Sequence, residues 1–296
     1  MDPKTILLPV DFSERSLETA REAKGIVAHC DARLIFLNVL DDHRRTELQF
    51  EAGGFSAREL QSYLSRELRQ TPIDYIVTHG RPADAIAECA DRLGADLILM
   101  AAHDRNPFER FLFGSVTAEV LESTPCPVWV TLGDQKSHPP LFRQVLCSIG
   151  LNGSSSKTLE WALRFASAFE ATCHVLHIAD FSDGRSPRRV TEDALTRHER
   201  EELKSIKARL AVGRRVDLFA GEAEEVIVRA SAEQKADLLV IGGNQHGNSV
   251  AQVHALAFSL ARKALCPVVV VPGPQRAGGS LWKSTDLTPA LAGFER

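Results

Sequence analysis

Short apolar runs alternate with amphipathic stretches along almost the whole chain. Thr5 to Val10 (TILLPV) reads as a buried strand. Ser13 to His29 reads as a helix whose Leu17, Ala20, Ala23 and Val27 recur at three- and four-residue spacing. A second strand follows at Arg33 to Val39, a helix at Phe55 to Arg69 and a third strand at Ile73 to Thr78. After a turn at Gly80 the pattern gives a helix over Ala83 to Leu93 and a fourth strand over Asp96 to Met100. A helix over Ser115 to Glu122 and a fifth strand over Val128 to Thr131 complete the set. The order then returns, with strands near Val145, Thr172, Val216, Leu238 and Val268. Near-continuous apolar strands alternating with helices predict a parallel sheet covered on both faces. The charged stretch from Arg185 to Lys207 reads as a solvated amphipathic helix with opposite-charge pairs.

The return is a duplication. ILLPVDFS (Ile6 to Ser13) reappears as VLCSIGLN (Val145 to Asn152), an offset of 139 from Ile6 to Val145. GRPADAIAECADRLGADLILM (Gly80 to Met100) reappears as GEAEEVIVRASAEQKADLLVI (Gly221 to Ile241), and PCPVWV (Pro125 to Val130) as CPVVVV (Cys266 to Val271). A repeat of this length is a whole domain, since solenoid units are about 20–50 residues long. The expected units are residues 1–132 and 143–272, each large enough for its own core. Residues 133–142 form a polar, proline-bearing connector, and residues 273–296 a tail rich in Gly, Pro and Ser. A loosely held tail is the plain expectation, with Leu281 and Trp282 available to dock on a surface.

Composition narrows the function classes. With 35 basic and 39 acidic residues there is no electrostatic footprint for nucleic acid or anionic lipid. No apolar run approaches the roughly 20 residues of a membrane span. The start of the chain enters a strand without a charged-then-apolar leader, and the six scattered cysteines read as reduced core residues. Both point to the cytoplasm. The chain has no G-x-S-x-G elbow, P-loop or G-x-G-x-x-G fingerprint. His103 with Asp104, and His246 with His254, fall short of the three or four convergent ligands a metal needs.

Five motifs in order, mostly seen twice, resemble the universal stress protein family in its tandem form. They are ILLPVDFS, GRPADAI, ADLILM, GSVTAEVL and PCPVWV, and the resemblance spans Thr5 to Val271. It implies two copies of a three-layer α/β/α domain with a five-stranded parallel sheet, of the adenine nucleotide alpha hydrolase-like kind. It also implies that the fifth strands, Val128 to Thr131 and Val268 to Val271, pair across an internal pseudo-twofold axis. Further pairing of two chains into a homodimer is left open. Many members bind ATP or AMP and others bind no nucleotide. Binding members carry a G-x2-G-x9-G-S/T loop after the fourth strand. Pro9, Val10, Asp11, Val39, Met100, Gly114, Ser115 and Val116 match the family's nucleotide-contacting positions.

The loop itself departs from that pattern. In AAHDRNPFERFLFGS (Ala101 to Ser115) the spacing holds, but Ala101 and Asp104 stand where the two early glycines belong. Ala101 adds one methyl where backbone must approach a ligand. Asp104 brings a carboxylate toward the phosphates. Two like unit charges about 4 Å apart repel by about 1 kcal/mol at the dielectric of water and about 4 at an effective value near 20. Arg105 and Arg110 either offset this or are simply solvated. The second half has moved further. Gly150 replaces Asp11, His254-Ala255 replaces Gly114-Ser115, and Gln245 replaces the second glycine while Gly242 stays. Starting instead from Gly247 ends the count at Ala257-Phe258.

The expectation is a stress-response binding module rather than a catalyst. ATP, ADP or AMP would be held weakly in the first half alone, AMP or ADP in preference to ATP. Two alternatives stay open: a scaffold that binds no nucleotide and acts through protein contacts, and a slow ATP hydrolase. Asp11 has a second reading, as part of the first helix's N-terminal cap with Ser13, and Gly114-Ser115 as a mere helix start. Cys126 and Cys266 read as structural.

Overall fold

The computed structural model describes residues 3–11, 13–40, 73–102, 115–132, 142–151, 155–179, 186–210, 215–243, 250–264 and 266–273. In the first half these form β1 (Thr5–Pro9), α1 (Glu14–Cys30), β2 (Arg33–Leu40) and β3 (Ile73–His79). They continue with α2 (Pro82–Leu93), β4 (Leu97–Ala102), α3 (Ser115–Ser123) and β5 (Val128–Leu132). The second half begins with β6 (Gln144–Ile149), α4 (Ser155–Ala168), β7 (Thr172–Ala179) and β8 (Arg188–Arg189). There follow α5 (Arg197–Arg209), β9 (Val216–Ala220), α6 (Ala223–Gln234), β10 (Leu238–Gly242), α7 (Val250–Lys263) and β11 (Val268–Val271). The expected helix over Phe55 to Arg69 and most of the connector and tail lie outside the described residues.

All eleven strands join one sheet in the order β3-β2-β1-β4-β5-β11-β10-β6-β7-β9-β8. Neighbours within each half are parallel, apart from the β8–β9 pair. Parallel strands need both faces covered, and the side chains divide accordingly. Ile6, Leu8, Leu34 and Phe36 join one buried cluster, beneath α1, α4 and α5. Leu7, Ile35 and Leu37 join the other, beneath α2, α3, α6 and α7. Local chemistry fixes the helix ends. Ser13 Oγ accepts the Ser16 N–H at 3.3 Å, capping α1. Gly80 and Gly221 precede α2 and α6 at φ of 129° and 133°, a region closed to most side chains.

The halves meet where β5 and β11 pair antiparallel, with Val128 opposite Val270, Trp129 opposite Val269 and Val130 opposite Val268. Trp129 and Val269 are counterparts in the duplication, so the local pseudo-twofold axis passes through that one pair. The fifth-strand pairing expected from the resemblance is therefore present. Trp129 is fully buried and lies 5.4 Å from the Phe142 ring and 5.7 Å from the Phe165 ring. Phe169 extends this aromatic stack beneath α4. Behind Trp129, the Glu22 carboxyl of α1 is pushed up to about 7 by burial, against the pull of Thr131 and Trp129.

One expectation is corrected. The stretch from Arg185 to Lys207 is not a single solvated helix. Arg188–Arg189 pairs antiparallel with β9 as an edge strand, and a 3₁₀ turn at Glu192–Ala194 follows. The helix begins only at Arg197, where Thr196 and Glu199 form a reciprocal capping box. Its inner side buries Leu203 and Ile206.

All six cysteines are buried and none is in a disulfide. Burial raises the thiols of Cys89 to about 11 and Cys266 to about 12, and drives Cys126 and Cys147 up as well. No helix among the described residues is long and apolar enough to cross a membrane.

The seam makes Trp129 the side chain whose loss is felt by both halves. Trp129→Ala should lower the unfolding free energy by about 3–5 kcal/mol, the usual cost of emptying a large aromatic site. Urea denaturation followed by circular dichroism measures this. A loss below about 1 kcal/mol would show that the seam does not depend on the aromatic stack.

Candidate functional site

In an open α/β sheet a ligand crevice forms beyond the carboxyl ends of the strands, where the strand order reverses. In the first half that place lies between β1 and β4. Pro9 closes β1 and Val10 follows it. Val10 N–H donates to Leu37 O at 2.8 Å, and Val10 O accepts from Asn38 Nδ2 at 2.9 Å. These bonds tie the end of β1 to β2, which also carries Val39. Met100 and Ala101 sit in β4, opposite Val130 and Thr131 of β5. Ser115, exposed, and Val116, half-buried, open α3, whose N-terminus lies at the same edge because the helix follows β4. Eight of the ten expected positions thus share one edge. The other two, Asp104 and Gly114, lie outside the described residues, as do His103, Arg105 and Arg110.

Asp11 is exposed, and its Oδ1 accepts from Ser13 N at 3.1 Å, Ser13 Oγ at 2.6 Å and Ser16 Oγ at 2.6 Å. Asp11 N–H donates to Ser16 Oγ at 3.2 Å in return. The carboxylate therefore builds the start of α1, where negative charge is favoured by the helix dipole. Of its two readings from sequence, the capping role is the one these bonds display. Asn38 Oδ1 is buried and has no hydrogen-bond partner among the described residues.

The second half carries a different set of groups at the equivalent edge. His177 occupies the place of Asn38, and its Nδ1 lies 3.0 Å from Ile149 O, the counterpart of Val10 O. A carbonyl can only accept, so Nδ1 holds the proton in the neutral ring. Nε2 then faces Glu199 Oε1 at 3.4 Å. Ser155, the counterpart of Ser16, donates from Oγ to Glu202 Oε1 at 2.8 Å, because Gly150 offers no carboxylate. Burial holds the His177 pKa below its ordinary value, despite the Ile149 bond and the two carboxylates that favour the cation. For Glu199 burial works upward, but bonds from Thr196 and the neighbouring His177 outweigh it and hold the carboxyl low. α5 thus places two carboxylates at this crevice.

Sequence reasoning missed this cluster. The one available signal was the Asn38-to-His177 correspondence at the same offset of 139 as the first strands (177 against 38). Gly242 ends β10 and is buried, while Gln245, His246 and Gly247 lie outside the described residues. Among the described residues no group of three or more His, Cys, Asp or Glu side chains is placed to hold a metal.

Comparison with known proteins places these crevices in context. The model of the universal stress protein family matches residues 3–131 and again 141–272. A universal stress protein of Methanocaldococcus jannaschii is 31% identical over 147 residues, 45% of this chain and 84% of that protein. Among solved structures, a universal stress protein from Archaeoglobus fulgidus covers 91% of this chain and 96% of its own, with 20% identity and a TM-score of 0.68. A universal stress protein solved in complex with cAMP covers 45% of this chain and 100% of its own, with 25% identity and a TM-score of 0.36.

His177 generates a pH dependence whose sign follows from its direction of shift. The folded state holds the ring neutral, so the unfolded chain binds the extra proton first. Stability should fall as the pH drops through the ordinary histidine value of 6.5 and level off below the depressed folded value. His177→Asn copies the first half's residue and removes the titration. In urea titrations across this range the variant should lose less stability than the parent on acidification. Parallel losses would show that the ring does not titrate on unfolding.

Proposed function

The chain belongs to the universal stress protein family, as two family domains in tandem, and we propose that it is a regulatory binding module whose first half takes an adenine nucleotide. The observation that carries this reading is the contrast between the two crevices. The first gathers the end of β1 at Pro9 and Val10, the apolar Val39 and Met100, the small Ala101 and the N-terminus of α3. Backbone N–H groups at a helix start suit phosphate oxygens, and apolar strand ends suit a base. The counterpart crevice holds Glu199 and Glu202, whose charge opposes a phosphate. The second half, in this reading, is a structural partner that no longer takes nucleotide.

The first-half ligand is AMP or ADP in preference to ATP, because Asp104 stands in the loop where glycine is the rule. Its charge weighs most against the terminal phosphates. The units of this module are residues 1–132 and 143–272, and its reduced, buried thiols suit the cytoplasm. A second reading draws on Asp11. A carboxylate oxygen engaged by Ser13 and Ser16 favours a scaffold that binds no nucleotide and acts through protein contacts.

Native mass spectrometry with AMP, ADP and ATP titrated in parallel separates the two. One nucleotide per chain, with AMP or ADP held at least as well as ATP, is the expected result. Absence of binding by all three would favour the scaffold. Gly114→Val should abolish binding, and Asp104→Gly should raise ATP affinity by about tenfold, the equivalent of about 1.4 kcal/mol. Full-strength binding by Gly114→Val would move the site elsewhere.

A further inference from the structure

A groove of about 440 Å³ lies at the foot of the first half, on the opposite edge of the sheet from the β1/β4 crevice. Pro3, Ala95 and the Pro125–Pro127 turn form one side, and Trp161 and Phe165 of α4 form the other. Trp161 is half-buried and stacks on Phe165 with ring centroids 5.2 Å apart. Asp91, Asp96 and Glu160 add negative charge, and Arg164 pairs with Glu160. The groove therefore joins an apolar, aromatic floor to a mostly acidic rim.

The strand that leads into the tail, β11, ends near it. In the antiparallel seam Val270 lies opposite Val128. That register, continued past the last pair, would bring Val271 toward Pro127 and Pro272 toward Cys126. Both Pro127 and Cys126 line the groove. From Gly273 to Trp282 is nine residues (282 minus 273), a reach of up to about 30 Å when extended.

The tail also repeats the connector. Gly133, Gln135, Lys136, Leu141, Phe142 and Arg143 recur as Gly273, Gln275, Arg276, Leu281, Trp282 and Lys283, all at an offset of 140 (273 against 133). Cys126 and Cys266 have that same offset, so the register runs on unbroken past β11. In the connector copy, Phe142 is buried at the foot of the second half, against Trp129, Phe165 and Phe169. The first half has only Pro3 at the position equivalent to Phe142, and there the groove begins.

We propose that the tail docks on its own chain, with Leu281 and Trp282 filling the groove between the foot of the first half and α4. Two large apolar side chains suit its floor. Arg276 and Lys283, which flank them, complement Asp91 and Asp96, since Glu160 is already met by Arg164 and Arg209. The docked tail would close the first half's foot with an aromatic residue, as Phe142 closes the second half's. It would also bridge the halves a second time, beside the end of the β5–β11 seam.

The test is fluorine NMR of the full chain carrying 5-fluorotryptophan at its three tryptophans, Trp129, Trp161 and Trp282. The Trp282 resonance should lie away from the position of a solvent-exposed indole and return to it in Ala95→Arg, which fills the groove with a cation. In Trp282→Ser, a change confined to the tail, the Trp161 resonance should shift because its neighbour is gone. A solvent-exposed Trp282 signal in the parent, or a Trp161 signal unmoved in Trp282→Ser, would overturn the proposal. So would protection of Trp282 that is lost on dilution together with a sedimenting dimer, since the groove would then be taking a second copy's tail.

Discussion

The pairing of β5 with β11 is the constraint on which the rest of the molecule depends. Each half-sheet alone would end in an edge strand with a row of unsatisfied N–H and C=O groups. Setting the two edges together antiparallel satisfies both rows and makes one sheet of eleven strands. The axis of approximate symmetry then falls on Trp129 and Val269, which are unequal in size. Trp129 reaches under α4 to Phe165, and Phe142 at the connector's end closes over the same ring. The join is thus sealed by side chains from three separate parts of the chain. Because the partners are covalently tied, its occupancy does not depend on protein concentration.

That covalent tie lets the halves differ. The bond from the second strand to the end of the first is kept by Asn38 in one copy and His177 in the other. Ser16 and Ser155 stand at equivalent points, yet one serves Asp11 and the other Glu202. Framework interactions are thus conserved between the copies while the groups facing the crevice have been exchanged. In a dimer of identical chains no such division is available, since every substitution enters both subunits.

Most of the fold was legible because its strands are buried on both faces. Runs such as Ile6-Leu7-Leu8 and Leu34 to Leu37 carry apolar residues to both clusters, and their ends fell within about two residues of those read from sequence. The stretch before α5 was not legible. A two-residue strand has no period to detect, and the helix start at Arg197 is set by one reciprocal pair of bonds between Thr196 and Glu199. The positions named at the β1/β4 edge, Pro9, Val10, Met100 and Ala101, came from the resemblance of the motifs to a family and not from the periodicity of the strands. The engagement of Asp11 by Ser13 and Ser16 could be named only as an alternative, because sequence supplies the groups and not their rotamers. The His177, Glu199 and Glu202 cluster was hidden, since it joins a strand to a helix whose own start had been misplaced.

The cysteines carry a consequence of their own. A thiol reacts with peroxide or disulfide as its anion, and the anion is scarce when the pKa lies far above the ambient pH. With its thiol pushed up to about 12 by burial, Cys266 holds very little thiolate at neutral pH. Cys89, Cys126 and Cys147 are likewise buried and shifted upward, and Cys30 and Cys173 are buried. An oxidant that reaches this protein therefore meets cysteine thiols it cannot readily use. These thiols are held in a form that oxidants attack slowly for as long as the fold stays intact.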